Sequence, residues 1–254
     1  MFGLNPLRRT DFTNGEALLV HSVFDTIQGE GPYSGQPAVF IRLGGCNLRC
    51  HFCDTDFETG NKFMEVPAIL ERVRAIKSAG VDLVVLTGGE PLRQNVRPLL
   101  RALSEQHLHV QIETAGTVWP PGLENDVISQ RVTLVCSPKT PVVNKMVALL
   151  CNHWKYVVSV GDEDVVDGLP VNSTQVRNGP AAPLYRPPAL YENTIWVQPC
   201  MEYTTAACST AGAPPTAPVE DVEATRANML HAASIARQHG YRITLQTHKL
   251  LGLP

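Results

Sequence analysis

The chain has 254 residues and a formal net charge of −3. That charge leaves no excess of Lys and Arg to neutralise phosphates, which argues against general nucleic-acid affinity. No apolar run is long enough to read as a transmembrane helix, and the N-terminus lacks the layout of a signal peptide, so a cytoplasmic, non-membrane protein is expected. The length suits one large domain, residues 1–254, able to bury a sizeable core.

Taken in chain order, residues 1–18 read as a loosely ordered lead-in. Residues 19–26 form a short strand, GEGPYSG (29–35) a turn, and PAVFIRL (37–43) a buried strand ending at Gly44-Gly45. Residues 67–79 start with proline, carry apolar residues at helical spacing and stop at Gly80, which predicts a helix. VDLVVLT (81–87) is nearly all apolar, as in a parallel strand covered on both faces. A helix over 94–105, a strand over 107–114, a strand over 131–137, a helix over 142–151 and a strand over 153–160 follow. Residues 193–199 are another strand, 221–239 a helix with acidic residues first and Arg237 and His239 last, and 241–247 a closing strand. Segments 162–192 and 200–219 are rich in Pro, Gly, Ala and Thr and read as long loop insertions on the surface.

The alternation predicts an α/β fold, a mostly parallel sheet with helices on its outer face, closing into an open or partial barrel. Polar or glycine-rich runs fall at the carboxyl ends of several strands: Cys46 to Cys53, Gly88 to Glu90, Glu113 to Gly116, Ser137 to Lys139, Gln198, and Gln246 to Lys249. In parallel α/β folds that edge binds ligands.

Among the 7 cysteines, Cys46, Cys50 and Cys53 form a C-x3-C-x2-C cluster directly after a strand. Three thiolates on flexible backbone can hold an iron–sulfur cluster while leaving one iron open to chemistry. A zinc knot with His51 or Asp54 as fourth ligand is the competing reading. Phe52 and Phe57 are placed to shield the site or to pack the core. Cys136 and Cys151, in apolar surroundings, read as packing residues; Cys200 and Cys208 complete the count.

The cysteine loop resembles that of radical S-adenosylmethionine enzymes. The resemblance implies a full or partial (β/α) barrel and a [4Fe-4S] cluster on Cys46, Cys50 and Cys53. It also implies that S-adenosylmethionine chelates the open iron and yields a 5′-deoxyadenosyl radical, with Phe52 near the adenine. Gly88-Gly89-Glu90-Pro91 resembles the family's methionine-binding segment, in which Thr87 and Glu90 share the contact to the amino group; Glu113, Ser137 and Lys139 are further cofactor candidates. The runs TIQGEGPYSGQPAVFIRLGGCN, CDTDF, TGGEP, ETAGT, SPK and QTHK, spread over most of the chain, are together similar to the 7-carboxy-7-deazaguanine synthase family.

That similarity implies a lyase that contracts 6-carboxy-5,6,7,8-tetrahydropterin to 7-carboxy-7-deazaguanine with release of ammonia, in queuosine and 7-deazapurine biosynthesis. It implies Mg²⁺ with Thr55 as its protein ligand, a homodimer, and a reducing partner such as flavodoxin or ferredoxin. Gln28, Gly29 and Glu30 are placed to meet a pterin edge, and Arg42 to hold a carboxylate in a bidentate fork. Gln246, His248 and the Pro254 carboxylate are further substrate candidates. Two other functions compete: an enzyme that installs a glycyl radical on a partner protein, and a zinc-binding scaffold module.

Overall fold

The computed structural model describes residues 5–53, 55–175, 183–188, 194–204 and 219–254. In chain order the strands are β1 (Ala17–Ile27), β2 (Pro37–Leu43), β3 (Lys62–Glu65), β4 (Leu83–Gly88), β5 (His109–Thr114), β6 (Val132–Cys136), β7 (His153–Val158), β8 (Ile195–Pro199), β9 (Tyr203–Thr204), β10 (Val219–Glu220) and β11 (Arg242–Ile243). The helices are α1 (Val66–Ile76), α2 (Arg97–Glu105), α3 (Leu123–Ser129), α4 (Lys145–Leu150), α5 (Val222–His239) and α6 (Thr247–Leu250). Among the described residues none of them is long and apolar enough to cross a membrane.

One sheet of nine strands runs β11-β8-β7-β6-β5-β4-β2-β1-β3. From β11 to β2 every pairing is parallel; β1 and β3 add antiparallel at one edge. This is the expected mixed α/β sheet curved as a partial barrel.

Strand alternation divides the two faces. Val84 and Leu86, Val110 and Ile112, Leu134 and Cys136, and Trp154 and Tyr156 join the main core, against Ile69 and Val73 of α1, Leu99 and Leu103 of α2, and Val147 of α4. The opposite face lines the barrel interior. At its closed end Ala38, Phe40, Leu83 and Val85 form a small apolar plug beside Tyr33. Toward the mouth the same rows become polar: Thr87 follows Val85, and Glu113 follows Gln111.

Local chemistry fixes the element ends. Proline opens α1 and α2, where a missing N–H costs nothing. Asp221 caps α5 by accepting from the Ala224 N–H at 3.0 Å, and Gly240 ends it at φ +71°.

Three regions depart from the expectation. The lead-in is not loose from residue 5 onward: Leu7 bridges Cys46, Asp11 bridges Gln94, and the Arg93 guanidinium joins the Arg9 carbonyl to that of Gly44. The closing strand is short. After β11 the Thr244 hydroxyl accepts from the Gly31 N–H at 2.8 Å, and the chain leaves the sheet to form α6. The segment read as a loop over 162–192 contains buried Leu169 and Leu184, which pack in the main core, and 200–219 includes the small β9–β10 pair. Residues 1–4, 54, 176–182, 189–193 and 205–218, with Cys208, lie outside the described residues.

At the closed end the Tyr33 hydroxyl is hydrogen-bonded to His109 Nε2 at 2.7 Å and Thr133 Oγ1 at 2.8 Å. It joins the turn after β1 to β5 and β6. Tyr33→Phe removes that hub, and we expect a loss of about 1–2 kcal/mol in urea unfolding of the metal-free protein.

Candidate active site

Cys46 follows the glycine pair that ends β2. Its carbonyl accepts from the Arg8 N–H at 2.7 Å, so the N-terminal strap pins the first cysteine. The turn after β4 lies against the same stretch. Gly89 N–H donates to Leu43 O at 3.2 Å, and Glu90 N–H to Gly45 O at 3.0 Å. A Cβ on Gly89 would stand 2.3 Å from Gly45 O, so only glycine lets the two strand-end turns touch.

Cys46, Cys50 and Cys53 line one cavity of about 230 Å³, with Phe52 and Phe57 on its wall. Burial pushes the Cys46 thiol well above its ordinary range, and the charges of Glu90, Cys50 and Cys53 add to this. Among the described residues no group of three or more His, Cys, Asp or Glu is placed to hold one metal ion. Soft sulfur donors spread along a cavity wall fit a multi-iron cluster, in which each thiolate takes a different iron. Against the zinc-knot reading, His51 is exposed, with its ring edge-on to Phe52. Asp54 lies outside the described residues.

Thr87, Gly88, Gly89, Glu113, Ser137 and Lys139 line the same cavity. Glu113 accepts from Thr87 Oγ1 at 3.1 Å, Gln28 Nε2 at 3.1 Å and Gln111 Nε2 at 3.0 Å. The Lys139 ammonium donates to the Ser137 hydroxyl and stands 5.8 Å from the Phe52 ring centre. Burial lowers its pKa, and the nearby Cys50 thiol opposes that shift.

Glu90 is placed differently from the expectation. It is fully buried and does not line this cavity. Its carboxylate accepts from Leu92 N–H at 2.9 Å, Thr114 Oγ1 at 2.8 Å and Ala115 N–H at 2.8 Å. It therefore braces the turn after β4 against the end of β5. Burial, partly offset by these three donors, raises its pKa to about 7.

A second cavity of about 540 Å³ adjoins the first and shares Glu30, Thr55, Thr87, Gly88, Glu113 and Gln246 with it. Gln28, Arg42, His248 and Pro254 line it as well. Arg42 lies 5.2 Å from the Phe24 ring centre, on the opposite face of β2 from core residues Ile41 and Leu43. Glu30 pairs with Lys155 and accepts from Gln246 Nε2 at 2.7 Å. Burial alone would raise the Glu30 pKa, but the ammonium and these donors hold it well below the usual carboxylate range. The helix α6 docks here: Thr247 N–H donates to Gly29 O at 3.3 Å, and a Cβ on Gly29 would fall 1.9 Å from His248 Nδ1. Pro254 O accepts from Thr26 Oγ1 at 3.1 Å.

Residues 40–125 match the model of the Radical SAM superfamily. The chain is 44% identical to the 7-carboxy-7-deazaguanine synthase of Rhodospirillum rubrum, over 99% of each chain. It is 34% identical to the enzyme of that name from Rickettsia prowazekii, over 100% of this chain and 96% of the relative. The chain belongs to the 7-carboxy-7-deazaguanine synthase family. The crystal structure of QueE from Escherichia coli superposes with a TM-score of 0.57 at 21% identity, covering 90% of this chain and 93% of that one, and supports the fold.

Sequence reasoning missed several residues that build the site in this member of the 7-carboxy-7-deazaguanine synthase family. Lys155 is mid-strand in HWKYVV; its signal was a lone cation among apolar residues that alternation alone turns inward. Asn5 is buried in the strap, lines the first cavity and donates to Thr55 O at 3.4 Å. Thr174 and Gln175 reach Cys50 from the segment read as a loop. Cys136 and Cys151 are buried packing residues as expected.

Lys155→Met strands the Glu30 charge, and we expect a loss of about 3–5 kcal/mol in urea unfolding, most of it recovered when Glu30→Gln is added. Glu90 binds its proton more tightly folded than unfolded. Its contribution is therefore present at low pH and lost as pH rises from about 4.5 to about 7. The stability of the metal-free protein relative to Glu90→Gln should fall by about 3 kcal/mol across that window, as read from urea midpoints at successive pH values.

Proposed function

We propose that this chain converts 6-carboxy-5,6,7,8-tetrahydropterin to 7-carboxy-7-deazaguanine and ammonia, as a radical S-adenosylmethionine lyase of queuosine and related 7-deazapurine biosynthesis. The observation that carries this reading is the junction of the two cavities. A wall of three thiols opens onto a second space lined by Glu30, Arg42 and His248, with Thr87 and Glu113 common to both.

In this reading Cys46, Cys50 and Cys53 hold a [4Fe-4S] cluster, and Phe52, Thr87, Gly88, Gly89, Glu113, Ser137 and Lys139 surround S-adenosylmethionine. When bound, that pair supplies reductive one-electron chemistry capable of taking a hydrogen from carbon. The overall conversion is redox-neutral, since loss of ammonia accounts for the change in composition.

The chain's own residues bind and orient. Glu30 and Gln28 offer acceptor and donor atoms to the pterin edge, and the Arg42 fork suits its carboxylate. Gln246 fixes the Glu30 carboxylate, while His248 and Pro254 close the far wall. Glu90 acts from behind by holding the glycine turn in place. Thr55 lines both cavities and is the proposed protein ligand for Mg²⁺, with substrate oxygens completing its coordination. The whole chain, 1–254, is read as one catalytic unit, acting as a homodimer and reduced by a flavodoxin or ferredoxin.

The test is anaerobic. The protein is reconstituted with iron and sulfide and given reductant, S-adenosylmethionine, Mg²⁺ and 6-carboxytetrahydropterin; mass analysis should find 7-carboxy-7-deazaguanine. Cofactor cleavage without that product would keep the superfamily chemistry and reject the substrate. Cys46→Ala, Cys50→Ala and Cys53→Ala should each abolish turnover, and turnover retained by a folded variant would reject its cysteine as a ligand.

A further inference from the structure

Residues 173–175 lie between β7 and β8, far in sequence from the cysteine loop, yet they join it to the end of β6. On one side Thr174 N–H donates to Lys139 O at 3.2 Å, and Ser173 Oγ donates to the same oxygen at 3.0 Å. On the other side Gln175 pairs with Cys50 as an isolated antiparallel bridge, and His51 N–H donates to Thr174 O at 3.1 Å.

The side chains go further than the backbone. Gln175 Oε1 accepts from the Arg49 N–H at 2.9 Å, which orients the amide so that Nε2 meets Cys50 Sγ at 3.3 Å. Thr174 is buried, and its hydroxyl meets the same sulfur at 3.0 Å. Its single proton has a second acceptor, Lys139 O at 3.3 Å, and an anionic sulfur is the stronger claimant. The other two thiols have donors of their own. Cys46 Sγ accepts from Leu48 N–H at 3.4 Å, and Cys53 Sγ from Asn5 Nδ2 at 4.0 Å.

The geometry points to Thr174 and Gln175 as positioning residues that set the reduction potential of the cluster through the Cys50 sulfur. The inference rests on Cys50 being a cluster ligand. Adding an electron increases the negative charge on the ligating sulfurs. Donors aimed at one of them therefore favour the reduced form and raise the potential. Because Ser173 and Thr174 also grip the Lys139 carbonyl, the turn proposed to hold S-adenosylmethionine is fixed to the cluster loop by the segment that tunes it.

The experiment compares reconstituted full-length wild type with Thr174→Val, Gln175→Met and Thr174→Ser, by titrating the cluster potentiometrically and following the reduced form by electron paramagnetic resonance. Thr174→Val and Gln175→Met should each lower the equilibrium constant for one-electron reduction by about tenfold, the size of one charge-assisted hydrogen bond. For a one-electron couple that is a fall of about 59 mV. Thr174→Ser keeps the hydroxyl and should titrate like wild type. Equal potentials in all four loaded proteins would overturn this inference alone. Failure of Thr174→Val and Gln175→Met to load while Thr174→Ser loads would replace tuning with a purely structural role, and so also overturn it. A wild-type sample that assembles no iron–sulfur cluster would overturn the ligand reading and this inference together.

Discussion

A single carboxylate, half-buried between two cavities, ties the two sides of an incomplete barrel together. Among the described residues the sheet does not close on itself: β11 and β3 are its two edges. Glu30, in the loop before β2, reaches Lys155 of β7 and Gln246 at the start of α6. Gln198 of β8 is also within 3.4 Å. A largely desolvated ion pair is a poor source of net stability, but losing one partner is costly. Its value here is geometric. It fixes the distance between the loop that carries the substrate candidates and the opposite wall of the barrel interior, where water would otherwise loosen the contact.

The glycine contact between the turns after β2 and β4 does the same for the thiol-lined cavity. Leu43 to Gly45 and Gly88 to Glu90 meet backbone to backbone, and Glu90 holds the second turn from within. A carboxylate in a glycine-rich turn invites a ligand-binding reading, yet this one is spent on three internal donors. Its neighbours Thr87, Gly88 and Gly89 line the cavity instead, so the motif divides into a face open to that space and a face that shapes the turn.

Much of this was legible in the residues. Parallel strands announced themselves as apolar runs ending in glycine or polar residues, because a strand covered on both sides must change character where it meets the mouth. PAVFIRL before Gly44-Gly45 and VDLVVLT before Gly88-Gly89 are the clearest cases. What stayed hidden was tertiary. Residues 5–11 carry no periodic pattern, since they bond through isolated bridges rather than a ladder. The polar stretch at 173–175 looks like any loop until Cys50 is placed beside it. YRITLQT has the alternation of a strand, but hydrogen bonds from Gly31 and to Gly29 pull it out of the sheet after two residues.

The docking of α6 against Gly29 has a consequence for the order in which the fold can be completed. The cavity proposed for the pterin is lined by residues from 28–42 and from 246–254, and the contacts that join these walls are remote in sequence, 218 residues apart for Thr247 and Gly29. Closing so long a loop is entropically costly until other contacts have gathered the sheet. That chamber is therefore a late product of folding.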